Sequence, residues 1–135
     1  MHISQVVSLQ RAIARALPTC RRTGRYDFGT PNVKLFQRLD EAVARLRELE
    51  IQADIILLHP YDADNWGFSH MCRVQDEKYI RYVTARLGAF SNVWWSAANE
   101  YNLFRSGYKA KKSGWQRILS CIRENDPYPA ATVIR

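Results

Sequence analysis

The stretch ADIILLHP, residues 53–60, decides the fold. Ile55, Ile56, Leu57 and Leu58 stand in an unbroken apolar row, too short for a helix of its own. A strand sends successive side chains to opposite faces, so an unbroken apolar run needs cover on both. Strands of that kind belong to parallel sheets with helices packed against them.

The flanking sequence supplies those helices. Thr30-Pro31 reads as a helix start, a capping hydroxyl followed by proline at the first helical position. Leu35, Phe36, Leu39, Val43, Leu46 and Leu49 recur at helical spacing and predict an amphipathic helix over 31–49. Downstream, HPYDADNWGFSHM (59–71) is a loop by its Pro, Gly, Asp and Asn content. Tyr79, Ile80, Val83 and Leu87 predict a second helix over about 76–87, with Gly88 as its stop. NVWWSAANEYN (92–102) begins as a strand with β-branched and aromatic bulk, then turns small and ends on an amide and a carboxylate. Trp115, Ile118, Leu119 and Ile122 mark a third helix, capped by Ser113 and closed by Asp126-Pro127. ATVIR (131–135) reads as one more short strand.

Alternating helices and buried strands make right-handed βαβ units, hence an α/β protein with a parallel sheet. An open doubly wound sheet and part of a (β/α)8 TIM barrel both fit. The six glycines are scattered and form no GxGxxG or Walker pattern, which counts against a nucleotide-binding open sheet.

The 135 residues suffice for one domain with a core, and 47% of them are hydrophobic. No apolar run approaches the roughly 18 residues of a membrane span. The net charge of +7 is concentrated in two acid-free segments. Residues 1–26 carry Arg11, Arg15, Arg21, Arg22 and Arg25, and residues 105–117 carry Arg105, Lys109, Lys111, Lys112 and Arg117. Those ten of the 20 basic residues leave ten against 13 acids, a net charge of −3 for the rest. A body that is not basic argues against nucleic-acid binding, and a solvated helix face accounts for the KAKK run.

Residues 1–22, with Val6, Val7, Leu9, Ile13 and Leu17 among arginines, read as a short basic amphipathic helix closed by Pro18. A targeting segment and a plain surface helix are both open readings of it. Cys20, Cys72 and Cys121 are isolated, with no CxxC pair, and read as reduced thiols. His2, His59 and His70 have no ligand spacing, so neither a metal nor another cofactor is expected. With no secretory apolar segment, the expected location is cytoplasmic.

In parallel α/β folds, sites lie at the carboxyl ends of the strands. One predicted strand end delivers His59, Pro60, Tyr61 and Asp62; the other delivers Asn99, Glu100, Tyr101 and Asn102. A carboxyl group at such an exit, partly desolvated by aromatic neighbours, has its acid form favoured and suits general acid chemistry. Glu100 has an equally open second reading, as a cap of the next turn or a partner of Arg105. Tyr61, Trp66, Phe68 and Tyr101, set among carboxylates and amides, suit a carbohydrate ligand with apolar ring faces and hydroxyl edges. Trp94 and Trp95 read as core aromatics of the strand.

ADIILLHPYD, WGF, YIRYVTARLGAFSNVWWSAANEYN and ENDPY together resemble clan A glycoside hydrolases, most closely the bacterial apiosidase-like glycosidase domains. The resemblance runs from about Tyr26 to the end of the chain. It implies a (β/α)8 barrel of which residues 26–135 supply strands 3 to 5, with residues 1–25 a basic extension. It also implies that Glu100 is the acid/base of a retaining hydrolase, that Asn99 binds the sugar 2-hydroxyl, and that His59 lines the same pocket. Tyr61, Asp62, Trp66 and Tyr101 would contribute to substrate binding. The nucleophile would be a Glu on the seventh strand, outside this chain, unless Asp62 supplies a second carboxylate. The alternative function is a non-catalytic carbohydrate-binding or interaction module that keeps the aromatic rim. A partial barrel exposes two sheet edges, so self-association is expected.

Overall fold

The computed structural model describes residues 6–8, 29–59, 67–104, 108–128 and 132–133. Four strands, β1 (Val6–Ser8), β2 (Gln52–Leu58), β3 (Val93–Ala98) and β4 (Thr132–Val133), lie side by side in the order β1-β2-β3-β4. All three pairings are parallel. Helices α1 (Val33–Glu48), α2 (Arg73–Leu87) and α3 (Lys112–Asn125) alternate with them. The parallel α/β arrangement read from ADIILLHP is therefore the observed one. Ala53 to Leu58 are all buried, as an apolar run flanked on both faces requires.

Strand alternation divides the sheet into two faces. On the helical face, Val93, Trp95, Ala53, Ile55 and Leu57 are buried, and the Trp95 indole Nε1–H donates to Asp126 Oδ2 at the end of α3 (2.9 Å). On the other face lie two polar pairs. Ser96 donates to the buried Asp54 Oδ1 (2.6 Å), and Trp94 Nε1–H donates to Gln52 Oε1 (2.9 Å). Trp95 is core as expected, but Trp94 is 45% exposed because its strand position points it away from the helices. Helices α1 and α2 are clamped by Arg86, whose guanidinium forks onto the Asp40 carboxylate (2.6–3.0 Å) and lies over the rings of Phe36 and Tyr82.

Several local expectations are corrected. Residues 6–8, expected within a helix, form a strand: Val6 and Val7 are β-branched and have β2 to pair with. The rest of the 1–22 helix lies outside the described residues. The cap of α1 is Asn32, not Thr30; its Oδ1 accepts from the Leu35 N–H (3.3 Å), and Pro31 precedes the cap rather than opening the helix. Helix α3 is capped by Lys111, two residues before the Ser113 expected there. Gly88 does end α2, as expected, and does so in right-handed conformation. Glycine is needed there for space: a Cβ would come within 2.8 Å of Pro127 Cδ.

Candidate functional site

The register sets Leu58 beside Ala98, so His59 and Asn99 follow at the same level on adjacent strands. Two strand exits about 4.8 Å apart thus deliver the imidazole and the amide side by side. His59 is buried, Asn99 half-buried and Glu100 exposed. Ser96, Ala97 and Ala98, small and buried, keep the strand narrow as it approaches this rim.

Glu100 sits in left-handed conformation (φ 51°, ψ 52°), which non-glycine residues rarely adopt. It turns the chain out of β3 into a single 3₁₀ turn, Tyr101–Leu103, with Leu103 N–H donating to the Glu100 carbonyl (3.0 Å). The Glu100 side chain makes no capping bond to that turn, which counts against the capping reading. Arg105, the other proposed partner, lies outside the described residues. Glu100 is exposed, where a partly desolvated carboxyl was expected: the strand delivers it to the open rim. Tyr61, Asp62 and Trp66 also lie outside the described residues.

Tyr101, 43% exposed, meets Trp115 edge-to-face at 5.7 Å, and Trp115 in turn packs on Phe104 at 5.5 Å. These rings, with Asn102, Lys109 and Gln116, line a cavity of about 650 Å³ beside the exit of β3. An aromatic lining with a few amides is a common composition for a small-molecule site.

Sequence reasoning missed the most buried charges near this rim. Lys109, expected on a solvated helix face, is 3% exposed. It turns inward from the 3₁₀ turn Tyr108–Ala110 and places Nζ 3.1 Å from Oδ2 of Asp76, which is fully buried in the first turn of α2. Lys109 Nζ also donates to the Phe68 carbonyl. Burial lifts the Asp76 carboxyl to about 7, with the Lys109 ammonium pulling it back. Burial, and then the Asp76 charge, hold the Tyr79 hydroxyl well above the usual range. The missed signal is Asp76 itself, an acid one residue after Gln75 and three before the buried face of a helix.

Cys121 is buried and burial pushes its thiol up, which disfavours the thiolate; Cys72 is exposed. Among the described residues no group of three metal-ligating side chains converges, and no helix is long and apolar enough to cross a membrane.

The family model for the apiosidase-like catalytic domain matches residues 2–134, and the chain belongs to that family. The match begins well before residue 26 and takes in β1. A solved structure from Bacteroides vulgatus, described as that of a candidate glycoside hydrolase, is 37% identical with a TM-score of 0.76. The alignment covers 88% of this chain and 24% of the other, so this chain spans about a quarter of that protein's length. No curated protein matches.

Proposed function

We propose that this member of the apiosidase-like family is the part of a retaining glycoside hydrolase barrel that carries the acid/base, Glu100. Four parallel strands in sequential order, with helices between them, support a partial (β/α)8 barrel in which β2, β3 and β4 are strands 3, 4 and 5. The observation that carries the reading is a solvent-accessible carboxyl, held in a rare backbone conformation at the carboxyl end of β3, directly after Asn99.

In the proposed reaction, the protonated Glu100 gives its proton to the glycosidic oxygen as the C1–O bond breaks. A second carboxylate forms a bond to C1 on the opposite face. Glu100, now a carboxylate, takes a proton from water, whose oxygen displaces the enzyme ester and restores the free acid. Such carboxyls stand roughly 5–5.5 Å apart, and the proposed second one is a Glu on barrel strand seven, beyond the four strands here. Asn99 holds the 2-hydroxyl and His59 lines the pocket. The substrate is a carbohydrate.

The test is hydrolysis of nitrophenyl glycosides by the protein expressed from its full reading frame, with Glu100→Ala beside the parent. Removing a general acid/base costs roughly 10²–10⁴-fold in rate. Azide should restore turnover in Glu100→Ala and release a glycosyl azide of retained configuration. Unchanged hydrolysis in that variant overturns the assignment. Sugar binding without hydrolysis, unaffected by Glu100→Gln, favours the non-catalytic module instead; the aromatic cavity is the observation behind that reading.

A further inference from the structure

Three separate segments meet at one ammonium group. Lys109 comes from the turn that follows β3. Its Nζ pairs with Asp76 at the start of α2 and donates to the carbonyl of Phe68, in the 3₁₀ turn Phe68–His70 that leads into α2. The same Nζ lies 5.3 Å from the centre of the Phe104 ring, four residues past Glu100. The connection continues downward. Phe68 packs on Tyr79 at 5.6 Å, and the Tyr79 hydroxyl donates to the Leu57 carbonyl at 2.9 Å. Leu57 is two residues before His59. A single buried network therefore runs from the exit of β2 to the segment behind Glu100.

We propose that Lys109, with Asp76 and Tyr79, is a positioning network that fixes the two strand exits of the candidate site relative to each other. The proposal rests on the reading of that site as the catalytic rim. The chemistry suits the task. A buried ammonium must keep its acceptors close, because leaving any of them strands a charge in a water-poor environment. Its contacts are therefore stiff, whereas apolar packing alone tolerates sliding. Neither Lys109 nor Asp76 belongs to the proposed reacting groups. An ion pair is also a poor choice for stability alone, since well-packed apolar residues of similar volume commonly do as well. That comparison supplies the test.

The double variant Lys109→Met/Asp76→Leu removes both charges together and leaves none unpaired. Amide hydrogen exchange of the 135-residue chain, read by mass spectrometry, should rise at least tenfold over 67–71 and 101–104. Exchange within β2 and β3 and the thermal midpoint should stay near the parent values. In the protein expressed from the full reading frame, kcat should fall at least tenfold, more than KM changes. A double variant with parental exchange and parental kcat overturns the proposal. A second, milder variant covers the case in which the double does not fold. Tyr79→Phe keeps the ring on Phe68 and deletes only the bond to Leu57, and exchange over 67–71 should still rise several-fold; parental exchange there overturns the proposal too. Altered exchange alongside unimpaired hydrolysis in Glu100→Ala sinks the acid/base reading and leaves the network standing. Parental exchange with Glu100-dependent hydrolysis does the reverse.

Discussion

At the amino-terminal end of β2 the chain turns through Glu50, with φ 57°; at the carboxyl-terminal end of β3 it turns through Glu100, with φ 51°. Among the described residues these are the two non-glycine positions in left-handed conformation. The backbone accounts for the first. Glu50 N–H donates to Arg47 (3.0 Å) and Ile51 N–H to Leu46 (2.8 Å), which closes the carbonyls at the end of α1. Any residue that can adopt the conformation serves there, and glycine serves best. Glu100 follows a strand, not a helix, and its side chain caps nothing. The left-handed turn thus closes a helix at one end of the sheet and leads the chain into the rim's 3₁₀ turn at the other. In parallel α/β proteins that is also the division between the end that carries stability and the end that carries chemistry.

The largest expected effect bears on this contrast directly. Glu100→Gln keeps the size and the backbone demand but cannot donate the acid proton. On the proposed reading kcat/KM for an unactivated glycoside falls roughly 10²–10⁴-fold with the thermal midpoint unchanged. Glu50→Gln, carried through the same assay, should leave both as they were. A loss of similar size in both variants would erase the distinction between the two ends.

Next in size come the buried polar groups that hold each end. Asp76→Ala strands the Lys109 ammonium and should cost about 3–5 kcal/mol in denaturant unfolding. At the opposite end, Asn92 Nδ2 donates to the Val43 carbonyl (3.2 Å) and the Ile51 carbonyl (3.0 Å), tying α1 to β2 and β3. Asn92→Ala should cost about 1–3 kcal/mol, with no change in exchange at 67–71 or 101–104.

The Asp76 carboxyl also gives the carboxyl end a pH dependence of its own. Its value is about 7 in the folded protein against 3.8 for the free side chain, so the native state holds the proton more tightly. Its contribution to stability is complete below about pH 4 and is lost as pH rises through 7. Lys109, Glu77 and Tyr79 face it and couple to it. Thermal midpoints of the parent should therefore decline relative to Asp76→Asn between pH 4 and 7. Parallel profiles for the two proteins would mean that Asp76 is ionised throughout.

Much of the frame was legible in the sequence, for reasons tied to particular residues. Four apolar residues in a row demanded cover on both faces, and the 3.6-residue spacing of Tyr79, Ile80, Val83 and Leu87 marked a helix. The emergence of Asn99 and Glu100 from a buried strand was equally plain. What was not legible depends on three-dimensional proximity. Within KAKK nothing distinguishes Lys109 from its neighbours, because what separates them is which one meets Asp76. The left-handed turn at Glu100 carried no signal, since glutamate does not advertise positive φ as glycine does. Val6 and Val7 lay among arginines at helical spacing, and only β2, more than forty residues away, makes them a strand.

The smallest expected effect divides the two glutamates most cleanly, because it separates strain from chemistry in one substitution. Glycine adopts positive φ without a Cβ penalty, so Glu50→Gly and Glu100→Gly should each raise stability, by roughly 0.5–1 kcal/mol after the entropy that glycine adds to the unfolded chain. Both changes relieve the same kind of backbone strain, and denaturant midpoints should move in the same direction. Activity should not follow them. Glu50→Gly should hydrolyse as the parent does, while Glu100→Gly, the more stable protein, should be inactive until azide is supplied. If Glu100→Gly instead loses stability, the left-handed turn is held by side-chain contacts of Glu100. The carboxyl would then be a structural tie, and its position at the end of β3 would no longer argue for chemistry.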